Sequence, residues 1–474
     1  MNEIIFGTIA EIAAGIREKK FSPVEVVDAH LERITLLQPK LNAFVHLDAA
    51  GARARARAAE VAVVRGDAVG PLHGVPLTIK SCMDVAGWPA PSGSLLRKDY
   101  IAQGDAPLVA RLRAAGGIIL GNTNTPEYLM AYETDNSLNG KTSNPWDLAR
   151  SAGGSSGGEA AAIASGCSAG GVGSDGGGSI RVPAHFCGIC GLKPTPGRIP
   201  ATGHFPEGGG AFAWIGVVGP MARTVADVRA LFEVMAGPDA GDALSAPVPM
   251  RAVSEKDVRG LRVGILETDE VGKATPETTA AVERAAKLLS EQGFSVERKG
   301  LRGLGRAIAL WWYFFGPVIA DLIRKGAVGH ETEMSPMLRE YVALATGETV
   351  LTYDDFLNAC AERDKIRSEI LRQMNEVTIL LSPVSVGPAF RHGEGNWRSG
   401  AKENYRDTMR YSQWLNLTGF PGVAVPVGMS SDGLPIGVQV IGRPYEEEKI
   451  LAVAEAIERG RGPWPLQGKQ APII

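Results

Sequence analysis

Apolar residues recur at Val24, Val27, Leu31 and Ile34, a spacing that predicts an amphipathic helix. Ser22-Pro-Val-Glu25 marks its start as a capping box with proline at the first helical position, and Thr8-Ile-Ala-Glu11 has the same capping form. The Ala/Arg stretch from Ala49 to Val64 continues the helical pattern, with its arginines on a solvated face. The pattern then changes. Val75 to Ile79 reads as a short buried strand ending at Lys80, Ala110 to Ala115 as helix, and GGIILGNTNTPE as strand followed by loop. Glu159 to Ser165 reads as a helix of small residues, and Gly237 to Val248 as a surface connection. RGLRVGILE opens a second βα series, with a helix at Thr278 to Gln292 and a strand at Phe294 to Lys299. Late strands are predicted at Val377 to Leu381, Gly422 to Val427 and Ile436 to Ile441, before a helix at Glu446 to Ile457. Such alternation predicts an α/β fold in α/β/α layers, a single domain over 1–474 with an insert.

Composition narrows the class. Hydrophobic residues at 45% and charged residues at 21% can support a sizeable core. A net charge of −3 argues against nucleic acid or an anionic membrane as the main partner. The most apolar stretch, Ala307 to Ala320, reads as too short to span a bilayer and contains Gly316-Pro317. The N-terminus reads as helix rather than signal peptide, and five cysteines fit a reducing compartment. A cytoplasmic enzyme is the expectation.

One stretch departs from all of this. Between Ser151 and Ile180 there are eleven glycines and seven serines. Density of that kind implies close backbone approach or exposed N–H groups. A phosphate-binding P-loop needs a lysine after its last glycine, and none occurs between Lys141 and Lys193. Gly171-Val-Gly173-Ser-Asp-Gly176 matches a dinucleotide fingerprint but lacks the acidic residue about twenty positions on. Gly154-Ser-Ser156-Gly-Gly158 matches a nucleophile elbow, yet no histidine sits in an obvious loop after a late strand. A fourth reading joins Lys80, Ser155 and Ser179 as a serine nucleophile served by a lysine base. Such a base must be neutral near pH 7, about three units below an ordinary lysine, and desolvation at the end of an apolar strand works in that direction.

The motifs GVPLTIKSCMD, NPWDLARSAGGSSGGEAAAIASG, GSDGGGSIRVPAHFCGICGLKPTPGR and LPIGVQVIGRP resemble those of the amidase signature family. The resemblance runs from about Leu72 to the end and is dense from Asn144 to Arg198, with a catalytic core expected at about 72–200. It implies a large mixed, twisted β-sheet covered by helices on both faces. It also implies Lys80 as base, Ser155 as a proton relay following a cis peptide bond, and Ser179 as nucleophile. The N–H groups of Gly176, Gly177 and Gly178, with Ser179, would form the oxyanion hole, while Asp175 and Arg181 would hold the loop. No cofactor or metal is expected.

Two departures stand out. Asn122 replaces the lysine of the family's GKTN, and Glu159 replaces the final serine of GGSSGGS, where it is expected to favour the helix N-terminus. Cys187-Gly-Ile-Cys190 lacks the second ligand pair or histidines of a zinc site, and the family resemblance, in which FCGICG commonly carries cysteine, implies a buried structural pair. A helical, substrate-pocket insert is expected at about 301–375, where Trp311, Trp312, Phe314 and Phe315 are candidates for walling an apolar pocket. The resulting expectation is a free-standing hydrolase of a small amide, anilide or carbamate with an apolar group. It would be a monomer or homodimer, with no nucleic-acid partner and no membrane span. The alternative is the glutaminase subunit of a tRNA-dependent amidotransferase.

Overall fold

A computed structural model describes residues 2–465 apart from 208, 269, 349 and 350. Eleven strands form one sheet, in the order Phe44–Leu47, Ile118–Thr123, Pro76–Lys80, Gly170–Asp175, Val217–Ala222, Cys190–Lys193, Gly422–Met429, Pro435–Ile441, Ile379–Pro383, Arg262–Glu267 and Ser295–Gly300. Pro76–Lys80 runs parallel to both of its neighbours, as does Arg262–Glu267, while the middle of the sheet is antiparallel. The sheet is mixed, as expected.

Every residue of Pro76–Lys80, Gly170–Asp175, Val217–Ala222 and Pro435–Ile441 is buried, so helices cover both faces. One core gathers Ala160, Val182, Trp311 and Phe315; the other gathers Leu77, Ile79, Leu231, Leu289 and Val453. Both predicted capping boxes form, at Thr8 with Glu11 and at Ser22 with Glu25.

Four strands carried no readable signal: Phe44–Leu47, Gly170–Asp175, Cys190–Lys193 and Val217–Ala222. Gly170–Asp175 is GGVGSD, with neither alternation nor β-branched enrichment. Its glycines answer to packing, since a Cβ at Gly173 would stand 2.7 Å from the Met221 sulfur and 2.8 Å from the Ser156 hydroxyl. Tertiary fit, not propensity, makes this a strand.

The described part of 301–375 is mostly helical, with Leu304–Tyr313, Ile319–Gly326, Pro336–Glu348 and Tyr353–Gln373. The expectation that its apolar stretch is too short needs correction. A π turn at Phe314–Val318 carries the helix past Pro317, and Leu304–Gly326 is long and apolar enough to cross a bilayer. Trp311, Phe314 and Phe315 are nevertheless buried against the rest of the chain, as in a core helix.

Candidate active site

Lys80 ends the strand Pro76–Lys80 and is fully buried. Its neighbours Leu77 and Ile79 pack into one core, so the pleat turns Thr78 and Lys80 toward the other, where the helix Gly157–Ala164 lies. The Lys80 Nζ donates to Ser155 Oγ at 2.6 Å, Ser156 Oγ at 3.0 Å and Ser174 Oγ at 3.0 Å. Three hydroxyls match the three N–H bonds of an ammonium; as a neutral amine, the same nitrogen accepts from one of them. Burial pulls the Lys80 ammonium down to about 8, against the opposing charges of Cys82, Asp175 and Glu159. About a tenth of such an amine is neutral at pH 7.

Ser155 follows a cis peptide bond from Gly154, and its carbonyl accepts from Thr125 Oγ1 at 2.8 Å. A Cβ at Gly154 would stand 2.7 Å from the Ala131 carbonyl oxygen, so glycine lets this turn press against its neighbour. Ser156 opens the helix Gly157–Ala164, and its N–H donates to the Ser179 carbonyl at 3.2 Å, joining the two serine loops.

Ser179 lies just beyond the strand Gly170–Asp175. Asp175 organises the loop: its carboxylate accepts from the N–H groups of Gly178 at 2.7 Å and Ile180 at 3.1 Å, and from Arg181 Nε and Nη2 at 3.0 Å. Arg181 also donates to Gln439 at 2.9 Å and to Asn416 at 2.7 Å. Burial alone would raise the Asp175 carboxyl, but the Arg181 charge and hydrogen bonds outweigh it and hold the group well below the usual carboxylate range. This loop-holding arrangement is the one expected of both residues.

It also changes the expected donor set. The N–H of Gly178, at a φ of +126°, already donates to Asp175 at 2.7 Å. Among the described residues, the N–H groups of Gly176, Gly177 and Ser179 have no hydrogen-bond partner. Three donors remain.

Ser155, Ser174, Gly176 and Ser179 line one cavity with Leu129, Met130, His204, Phe212 and Phe315. Its volume of about 20 Å³ accommodates a water molecule. Lys80 and Ser155 are therefore in direct hydrogen bond, while Ser155 and Ser179 share this cavity.

The four candidate aromatic residues separate. Trp311 Nε1 donates to the Gly176 carbonyl at 2.8 Å, and its ring stacks on Phe315 with centroids 4.6 Å apart. Trp312 packs against Trp397 at 5.3 Å. Phe314 meets Trp214 and Phe356, at 6.0 and 6.1 Å. Of the four, Phe315 alone lines the cavity, so Phe314 and Trp312 are core residues here.

Two residues of this cluster went unread in the sequence, and the burial of a third, Glu159, was not foreseen. Ser156 and Ser174 bind the lysine directly, and their signal was only their adjacency to Ser155 and Asp175. Glu159 stands in the first turn of the helix Gly157–Ala164, as expected, and it is also fully buried and accepts from Thr78 Oγ1 and, at 2.7 Å, from Thr123 Oγ1. Its position in the first helical turn turns it into the sheet rather than to solvent. Cys187 and Cys190 are both buried free thiols, as read.

Known proteins extend these observations. The A-type subunit of glutamyl-tRNA(Gln) amidotransferase from Roseiflexus castenholzii is 37% identical across 95% of this chain and 95% of its own. A bacterial aryl acylamidase of the amidase signature enzymes superposes with a TM-score of 0.85 at 28% identity, covering 98% of this chain and 99% of its own. The corresponding amidotransferase subunit of Thermotoga maritima does so at 0.75 and 28%, covering 92% and 91%. The two amidotransferase subunits back the expected alternative better than the free-standing hydrolase. The family profile described as Amidase spans residues 25–451, and the chain belongs to the amidase signature family of hydrolases.

Proposed function

We propose that the chain cleaves a carboxamide C–N bond through an acyl-Ser179 intermediate, as a glutaminase subunit of the kind its relatives represent. The observation that carries the chemistry is the 2.6 Å hydrogen bond from Lys80 Nζ to Ser155 Oγ, with Ser179 on the same cavity. Neutral Lys80 takes the Ser155 proton as Ser155 takes that of Ser179, and the Ser179 oxygen attacks the carbonyl. The N–H groups of Gly176, Gly177 and Ser179 receive the developing oxyanion, each worth about 3–4 kcal/mol in the transition state. The proton returns through Ser155 to the departing nitrogen. Water then hydrolyses the ester by the same relay, freeing Ser179.

Kinship supports glutamine as substrate, with a partner protein receiving the released ammonia. The second reading, an apolar amide or anilide cleaved by the chain alone, is favoured by the cavity. Its walls include Leu129, Met130, Phe212 and Phe315, and its carboxylate, Asp175, is committed to Arg181. A zwitterionic amino acid needs charged partners of both signs.

The purified chain assayed with glutamine and with an aryl anilide separates the two. Glutamine turnover supports the first reading; anilide turnover with glutamine intact supports the second. If a fluorophosphonate labels neither Ser179 nor any other serine, both fall.

A further inference from the structure

We propose that Glu159 is a positioning residue for this reaction: its buried carboxylate lies behind Lys80 and stabilises the ammonium formed when Lys80 takes the serine proton. The inference rests on the serine-amidase reading above. Glu159 is fully buried on the first turn of the helix that follows Ser155 and Ser156. Its two oxygens are held from two strands, by Thr78 and Thr123. Thr78 lies two residues before Lys80 on the same strand, hence on the same face of the sheet. Room for the carboxylate is made at Gly171, where a Cβ would collide with Glu159 Oε1.

This carboxylate has no cation of its own: among the described residues, no ion pair includes Glu159. A buried carboxylate of that kind is costly unless nearby charge and hydrogen bonds support it. Burial pushes it up to about 7, while the two threonines and the Lys80 charge pull it down. The titratable groups facing Lys80 are Cys82, Asp175 and Glu159; those facing Glu159 are Lys80 and Cys82, and Cys82 in turn contacts His204. Asp175 is neutralised by Arg181. Lys80 thus feels both carboxylates, and of the two Glu159 is the one with no cation of its own, in the role a buried aspartate takes behind a catalytic histidine. The competing role is structural, with Glu159 only tying helix to sheet.

Labelling of Ser179 by a fluorophosphonate, followed against pH, separates these roles without a substrate. Loss of labelling in Ser179→Ala establishes the parent reading. Glu159→Gln keeps the hydrogen-bonding shape and removes the charge. Its acid limb is expected to move down by about 0.5–1 pH unit, and its high-pH rate to fall about 3–10-fold, because a less basic lysine is a weaker acceptor. Thr123→Val raises the proton affinity of the carboxylate and shifts the limb the same way by less. It carries the test alone if Glu159→Gln does not fold. Folded variants with the wild-type limb overturn the proposal. A wild-type chain that does not label at Ser179 overturns the amidase reading, and this proposal with it.

Discussion

Lys80 Nζ and Ser155 Oγ stand 2.6 Å apart, both without solvent exposure. A lysine so placed either donates as an ammonium or accepts as an amine, and only the second state begins the reaction. Lys80→Met keeps the aliphatic stem and deletes the base. We expect activity and Ser179 labelling to fall by about 10²–10⁴-fold, the usual worth of a positioned general base. Loss of less than tenfold would place the base elsewhere.

The pH dependence follows with a definite sign. Burial lowers Lys80 to about 8, so its neutral fraction grows as pH rises. Below that value kcat/KM should climb about tenfold per pH unit, then level above it. A rate that falls between pH 6 and 8 would exclude Lys80 as the base.

Asp175 and Arg181 are both fully buried, in contact at 3.0 Å. Asp175→Asn leaves the guanidinium uncompensated and replaces the carboxylate oxygen that accepts from Ile180 N–H and Arg181 Nε with an amide donor. We expect a loss of about 3–5 kcal/mol, read as a lower Tm and denaturant midpoint. Because the folded carboxyl is depressed, its stabilisation is present above the unfolded value of about 3.9 and is lost as pH falls below it. The acid limb of stability should therefore be shallower in Asp175→Asn than in wild type.

Phe315 and Phe314 are adjacent and buried, but they should behave differently. Phe315→Ala opens the cavity beside Ser179 and should change KM for bulky amides more than for small ones. Phe314→Ala removes core contacts to Trp214 and Phe356, and should cost about 3–5 kcal/mol of stability while leaving the bulky-to-small KM ratio unchanged. Equal ratios in the two variants would count against Phe315 as a pocket wall.

The grouping of Lys80, Ser155 and Ser179 was legible because the proposed chemistry restricts what can stand at those positions and the surrounding motifs are long. The strands holding them were less so. Gly170–Asp175 carries Asp175 at its end, yet its residues are chosen to leave space for Ser156, Met221 and Glu159. Periodicity has no access to such long-range fit. The same holds for the aromatic stretch: α-helical spacing groups Trp311 with both 314 and 315, whereas the π turn keeps Phe315 on Trp311 and sends Phe314 to another neighbour. Glu159 was legible as the start of a helix, but its burial was not, because a carboxylate in a first helical turn usually meets solvent and only the two threonines reveal its inward course.

The indole of Trp311 grips the Gly176 carbonyl from a helix 135 residues further along the chain. The loop before Ser179 is thereby tied to the aromatic cluster, because the same indole stacks on Phe315. A Cβ at Gly177 would stand 2.5 Å from the Trp311 ring, so little slack exists between the two. Redesign for larger substrates should start from Phe315, which bounds the cavity without gripping the loop, because trimming Trp311 would release the Gly176 carbonyl and loosen the loop instead.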